Sequence, residues 1–223
     1  MTIKPISVRE NKSARIKLSV LNSTLEIIEK KSFEHVHVNQ ICEMVDISKV
    51  TFFKYFPQKE DILLYYFKVW CFHRAVELSI EHKSGLGGVR FLFDSVAKSY
   101  NSHPGLFLGL VGYLSRLAMP ARPFPLKHAE RKLLYPQFDN INEIEMLSLD
   151  QLFENFVLEA IFSKEITKTG DVKKIVMMLD SILFGSIVTA HIRQAELAPL
   201  IFRQNLDQFL DSLNEMEEDI FNR

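Results

Sequence analysis

Two cysteines in 223 residues cannot staple a fold, and Cys42 and Cys71 both stand in apolar helical stretches. They read as small buried hydrophobes in a reducing compartment rather than as a redox pair. No run of eighteen apolar residues is present, so no membrane span is expected. The opening stretch, MTIKPISVRENKSARIK, holds no apolar signal core, and a cytoplasmic location is expected. P-loops, dinucleotide fingerprints, nucleophile elbows and paired-cysteine motifs are all missing. The histidines, His35, His37, His73, His82, His103, His128 and His191, do not fall at metal-ligand spacing. His73 and Glu77 lie one helical turn apart, a common arrangement of surface neighbours. The chain is therefore not expected to be an enzyme or to need a metal or cofactor. No alternating strand pattern and no internal repeat occurs either, which leaves an all-α protein.

What is present is bulk and an uneven charge. Hydrophobic residues make up 47% of the chain and 18 of them are Phe, enough for a substantial core. The net charge of −1 conceals a gradient. Residues 1–59 hold ten Lys/Arg against six acids, or +4, so the remainder carries −5. A basic end on an acidic body suits a protein that presents that end to DNA.

The basic end also carries the most informative stretch, SFEHVHVNQICEMVDISKVTFFKYFPQKEDIL, from Ser32 to Leu63. Val38, Ile41, Cys42 and Val45 recur at three- and four-residue intervals and predict a short helix with one buried face. Asp46-Ile47-Ser48 interrupts it: Asp tolerates the left-handed conformation that ends helices, Ile47 plugs the corner, and Ser48 can cap the next helix. A second helix is predicted from Lys49 to Phe56, burying Phe52 and Phe56 and turning Lys49, Val50, Thr51, Phe53, Lys54 and Tyr55 outward or sideways. Pro57 stops it, because the residue before proline is pushed out of the helical region. This is a helix-turn-helix, whose second helix fits a DNA major groove.

The same residues resemble the DNA-binding domain of the tetracycline-repressor (TetR) family of bacterial regulators. The resemblance rests on Phe33, Val38, Ile41, Cys42, Ile47, Ser48, Thr51, Phe52, Tyr55, Phe56, Lys59 and Glu60, and spans about the first quarter of the chain. The chain departs from the pattern at Ser32, Asp46 and Val50, where Gly is common, and at Phe53, where a Tyr hydroxyl usually reaches a phosphate. The resemblance implies Ser48, Lys49, Val50, Thr51, Lys54, Tyr55 and Lys59 as the DNA-contacting set. Lys49, Lys54 and Thr51 have the chemistry to reach guanine, thymine methyls or phosphates. Lys59 is expected to grip a phosphate at the following helix start.

Around this motif, a first helix is expected from Ser13 to Lys31, after a tail carrying Lys4, Arg9, Lys12 and Arg15. The tail is either an arm on the DNA or merely a solubilising extension. Residues 1–58 would form a helix-turn-helix domain and residues 59–223 a larger helical domain for ligand binding and dimerisation. In the latter, helices are expected from Glu60 to Lys83, Val89 to Asn101, Pro104 to Ala118, Glu143 to Phe162, Asp171 to Glu196, and from Pro199 onward. Met119–Asn142, with four of the eight prolines, reads as a long connection holding a short helix at Lys127–Leu134.

Two further constellations stand out. Phe202, Leu206, Phe209, Leu213, Met216 and Ile220 alternate spacings of four and three, a seam for another helix. Ser181, Gly185 and Thr189 are small residues four apart, which permit close helix approach. Either both helices pair with their copies in a homodimer, or both line an internal core. The resemblance favours a homodimer on a palindromic DNA operator. The aromatics Phe67, Trp70, Phe93, Tyr100, Phe107, Tyr113, Phe153 and Phe156 are either core or, by resemblance, the lining of a pocket for a small apolar or aromatic effector. The competing reading of the whole chain is a helical ligand-binding or interaction protein whose DNA binding has decayed.

Overall fold

In the computed structural model, residues 5–28, 32–118, 124–167, 171–193 and 197–215 are described. Lys4, residues 168–170, and Met216 and Ile220 of the expected seam lie outside them. Among the described residues the chain is all-helical, with ten α-helices, a short 3-10 turn at Phe33–His35 and no strand. The chain divides into two compact units, Met1–Val76 with Gly105–Met146, and Glu77–Pro104 with Leu147–Arg223. The first unit thus reaches well past residue 58 and takes in the Pro-rich connection.

In the first unit, α1 runs over Val8–Ile28, starting at Val8 rather than Ser13. The cause is a reciprocal cap: Glu10 N–H donates to Ser7 Oγ at 3.2 Å, and Ser7 N–H donates to the Glu10 carboxylate at 2.9 Å. Arg9, Lys12 and Arg15 therefore lie on a helix and not on a tail. Ala14, Lys17, Val20, Leu21, Thr24, Ile27 and Ile28 form its inner row. α2 (Val38–Val45) and α3 (Lys49–Tyr55) complete the three-helix group, with Ile41, Cys42, Phe52 and Phe56 buried.

Behind α3 an aromatic stack fills the unit. Phe56 lies parallel to Phe124 at 5.5 Å between ring centres and edge-on to Tyr65 at 5.6 Å. Tyr65 belongs to α4 (Asp61–Ile80), which continues into the second unit after Val76. α6 (Pro104–Leu114) comes close to the 3-10 turn at Gly109, where a Cβ would stand 2.9 Å from Phe33 Cβ. α7 (His128–Leu134) packs on α1.

The second unit contains α5 (Gly85–Ser102), α8 (Leu149–Phe162), α9 (Val172–Arg193) and α10 (Ala198–Glu215) packed on one another. Gly85, Gly87 and Gly88 fall in the first turn of α5, and Gly88 lets the Phe156 ring of α8 rest against its backbone. α8 begins at Leu149 rather than Glu143. Ser148 Oγ accepts from Gln151 N–H at 3.2 Å while Gln151 Oε1 accepts from Ser148 N–H at 2.8 Å. α9 is long and apolar enough to cross a bilayer by composition, with a mean hydropathy of 1.8. Its Ile175, Leu179, Leu183, Ile187 and Ala190 are spent on the core of this unit.

Candidate nucleic-acid interface

The turn between α2 and α3 is held by backbone geometry and one cap. Asp46 sits in the left-handed region at φ 54°, and its N–H closes back on the α2 carbonyls. Ser48 is extended, and its Oγ accepts from Thr51 N–H at 3.1 Å. The two hydroxyls of Ser48 and Thr51 are also within 3.0 Å, so the start of α3 is stapled to the turn. Such a cap is worth about 1 kcal/mol to the helix it starts. Phe52 and Phe56 anchor the other side, fully buried.

With that face fixed, α3 presents a mixed basic and apolar surface. Lys49, Val50, Phe53 and Lys54 are exposed, and Thr51 and Tyr55 are half-buried at its edges. Val50 is 82% exposed and Phe53, three residues on, 45% exposed. Phe53 is not in the DNA set read from the sequence, yet it stands on the presented surface, edge-on to Phe52 at 5.3 Å. Its i+3 spacing from Val50 was the available signal. Cys42 lies beneath, its thiol pushed up by burial even though Lys49 pulls it down, which suits an inert packing role.

Lys59 has a different position from the one expected. Its Nζ donates to the carbonyl oxygens of Phe33 and Glu34 at 3.2 Å and of Val36 at 3.3 Å, and sits 4.8 Å from the centre of the Phe33 ring. An ammonium has three donors, and all three are spent on closing the 3-10 turn. The geometry makes Lys59 a clamp between that turn and the start of α4.

The seam of α10 also faces inward. Phe202, Leu206, Phe209 and Leu213 are buried within the second unit, with Phe202 beside Tyr100 at 6.4 Å between rings. Their spacing was satisfied by α5 and α9 of the same subunit. Ser181 and Gly185 are instead exposed on α9, and Thr189 is half-buried.

The eight aromatics divide between the units. Phe67 stacks flat on Trp70 at 5.9 Å, and Phe107 meets Tyr66 edge-on, in the first unit with Tyr113. Phe93 packs on Phe153 at 5.9 Å in the second, with Tyr100 and Phe156 also buried there. Within each unit these contacts are those of an aromatic core.

Residues 20–66 match a family model described as bacterial regulatory proteins, tetR family. No curated protein matches the sequence. Among solved structures, the transcriptional regulator FadR from Bacillus subtilis in complex with stearoyl-CoA shares the fold at a TM-score of 0.56 and 16% identity. That match covers 84% of this chain and 96% of the other. A TetR transcriptional regulator from Rhodococcus sp. RHA1 matches at 0.56 and 14%, covering 92% and 97%. A TetR-family regulator from Streptomyces coelicolor matches at 0.55 and 16%, covering 91% and 97%. The chain is thus similar to this family in the sequence of its helix-turn-helix and in its overall fold.

Proposed function

We propose that this chain is a homodimeric, one-component transcriptional regulator, a repressor that leaves a palindromic operator when a small apolar effector binds. The observation that carries the reading is α3 itself. It is a capped, two-Phe-anchored helix whose exposed surface combines Lys49 and Lys54 with Val50 and Phe53. The lysines supply phosphate or guanine contacts, and the apolar pair suits thymine methyls and sugar. A helix with only a structural task would gain nothing from an exposed Val and Phe beside two lysines. This arrangement argues against decayed DNA binding.

The dimer reading now rests on α9 alone. Met177, Ser181, Gly185, Val188 and Ile192 recur at spacings of four or three and are all exposed. Met177 is 67% and Ile192 76% exposed. A Cβ on Gly185 would meet nothing within 4 Å in its own subunit. Glycine inside a helix costs roughly 1 kcal/mol relative to alanine, so close approach by a second copy gives it a reason. A palindromic site needs such a partner. For the effector, the aromatic content of both units and the stearoyl-CoA complex of the Bacillus regulator support a ligand with a long apolar portion. Burial of apolar area would drive its binding.

The test is binding of the purified protein to the DNA upstream of its own gene, titrated against salt and against unrelated competitor duplex. Specific, salt-dependent retention at two subunits per half-site pair supports the reading. Equal affinity for all sequences, or none, overturns it. An acyl-compound screen for release of that DNA tests the effector.

A further inference from the structure

Beside the helix-turn-helix, the first unit gathers cationic side chains around one concavity. A cleft of about 700 Å³ opens at the C-terminal end of α3. Arg9 from the first turn of α1, Lys54 and Tyr55 from α3, and Lys127 and His128 from the start of α7 line it. Three cationic side chains from three elements far apart in sequence therefore converge on one concavity. Arg9, Lys54 and Lys127 are all exposed, and none makes an ion pair among the described residues.

The carboxylates at the cleft do not balance them. Glu130 is 2% exposed and already engaged: one oxygen accepts from Lys17 Nζ at 2.8 Å and the other from Lys127 N–H at 2.7 Å. Glu10 is turned back on Ser7, accepting from its N–H and its hydroxyl at 2.9 and 2.6 Å. Lys17 matches the charge of Glu130, so Arg9, Lys54 and Lys127 face the single further carboxylate of Glu10, and this surplus of positive charge stabilises an anion arriving between them.

We propose that this cleft holds a phosphodiester of the operator backbone, with Lys127 as a DNA contact supplied from outside the helix-turn-helix. The inference rests on the regulator reading above and names a further part of its DNA surface. When α3 lies in a major groove, the strand flanking its C-terminal end is sugar–phosphate backbone, which Lys54 and Tyr55 already border. Lys127 and His128 extend that border onto α7. Such a contact carries no base information, but it sets the register of the protein on the duplex. It also makes α7, the short helix within the Pro-rich connection, part of the DNA surface. A shift of α7 would then change DNA affinity without first moving α3.

The experiment is fluorescence anisotropy of full-length protein on a random-sequence duplex across a salt series, since phosphate contacts are sequence-independent. Lys127→Ala is expected to weaken binding several-fold and to make the log–log salt slope shallower by about 0.9, the value of one lost phosphate contact. Lys127→Glu is expected to weaken it further, while Lys98→Ala on α5 controls for general charge loss and leaves the slope unchanged. Lys127 makes no side-chain ion pair among the described residues, and an unchanged melting temperature verifies that the fold survives. If the wild type binds with a steep salt slope and Lys127→Ala matches it, the cleft is not a DNA site and the regulator reading stands. If inorganic phosphate raises the melting temperature only when Lys127 is present, yet the DNA slope is unaltered, the cleft takes a small anion and the proposal falls. A wild type that binds no duplex at low salt overturns both.

Discussion

Lys17 of α1 and Glu130 of α7 form an ion pair at 2.8 Å with both side chains buried, although 113 residues separate them in sequence. The ammonium also lies 5.3 Å from the Phe124 ring centre and 5.7 Å from that of Tyr65. Burial, and then the Glu130 carboxylate, push the Tyr65 hydroxyl well above the usual phenol range. A charge pair in this setting was bound to be satisfied: each ion removed from water costs several kcal/mol unless its partner is in place. The pair ties the first helix of the helix-turn-helix group to α7, so this group does not end where its sequence motif ends.

The first prediction follows from that asymmetry. Lys17→Met leaves Glu130 buried without its cation and should destabilise the protein by about 3–5 kcal/mol. Lys17→Met with Glu130→Gln removes both charges and should recover a large part of the loss. Urea unfolding of the four proteins in the cycle measures the coupling. Additive losses would show that the pair is not a unit.

The clamp assignment of Lys59 separates two outcomes that are otherwise easily confused. Lys59→Ala takes the ammonium donor from the carbonyls of Phe33, Glu34 and Val36, of which Phe33 keeps the Val36 N–H, and a net loss of about 1–3 kcal/mol in stability is expected. The salt slope for DNA should not change, because no phosphate contact is removed. A shallower slope with unchanged stability would return Lys59 to the phosphate.

On the exposed face of α3, Phe53→Ala removes an apolar contact rather than a charge. We expect a selective loss of affinity for the operator relative to random duplex, on the order of 1 kcal/mol for one buried thymine methyl. Competition binding with the two DNAs checks this. Equal weakening on both would reduce Phe53 to packing against Phe52.

In the second unit, Asp180 gives a pH dependence. Burial, and then the charge of Asp150, raise its carboxyl from the ordinary 3.8 to about 6. The folded state therefore holds this proton more tightly than the unfolded chain, and stability falls as pH rises from about 4 to about 6. Asp180→Asn abolishes the effect. It should be more stable than the wild type at about pH 8, by something on the order of 1 kcal/mol given partial solvent screening, and equal to it near pH 4. Thermal melts across that range decide the sign, and a variant less stable at high pH would contradict it.

How far the residues announce these features depends on the range of the interaction. The α2–turn–α3 motif is legible because its determinants are local: Ser48 caps within three residues, and Phe52 and Phe56 share a face one turn apart. The start of α1 was equally local, since Ser7-x-x-Glu10 is a capping box, but the polar run around it weighs against a helix when only apolar spacing is counted. Ser148-x-x-Gln151 was obscured in the opposite way, by apolar residues preceding the cap. Lys59 and Lys127 could not be read at all. Lysine chemistry is the same over a carbonyl cluster and over a phosphate, and only the fold brings Phe33 to one and Arg9 and Lys54 to the other. The α10 seam shows the same limit, because a heptad-like spacing states that a helix will be met without stating whose.

The last prediction uses a glycine to ask that question of α9. Gly185 is exposed, and an added Cβ would touch nothing in its own subunit. For an isolated subunit, Gly185→Ala should therefore stabilise the helix by about 1 kcal/mol, and Gly185→Leu should be tolerated. If a second copy of α9 packs closely there, the signs reverse. Each Leu would force the helices apart at roughly 1–3 kcal/mol per site, twice over across a two-fold axis, and the dimer should dissociate. Sedimentation at micromolar concentration, read beside thermal unfolding, distinguishes the cases. We expect a wild-type dimer and a folded, monomeric Gly185→Leu with much weaker operator binding, since a lone subunit reaches only one half-site. A wild type that sediments as a monomer would sink the dimer reading, and a dimeric Gly185→Leu would move the interface away from this face of α9.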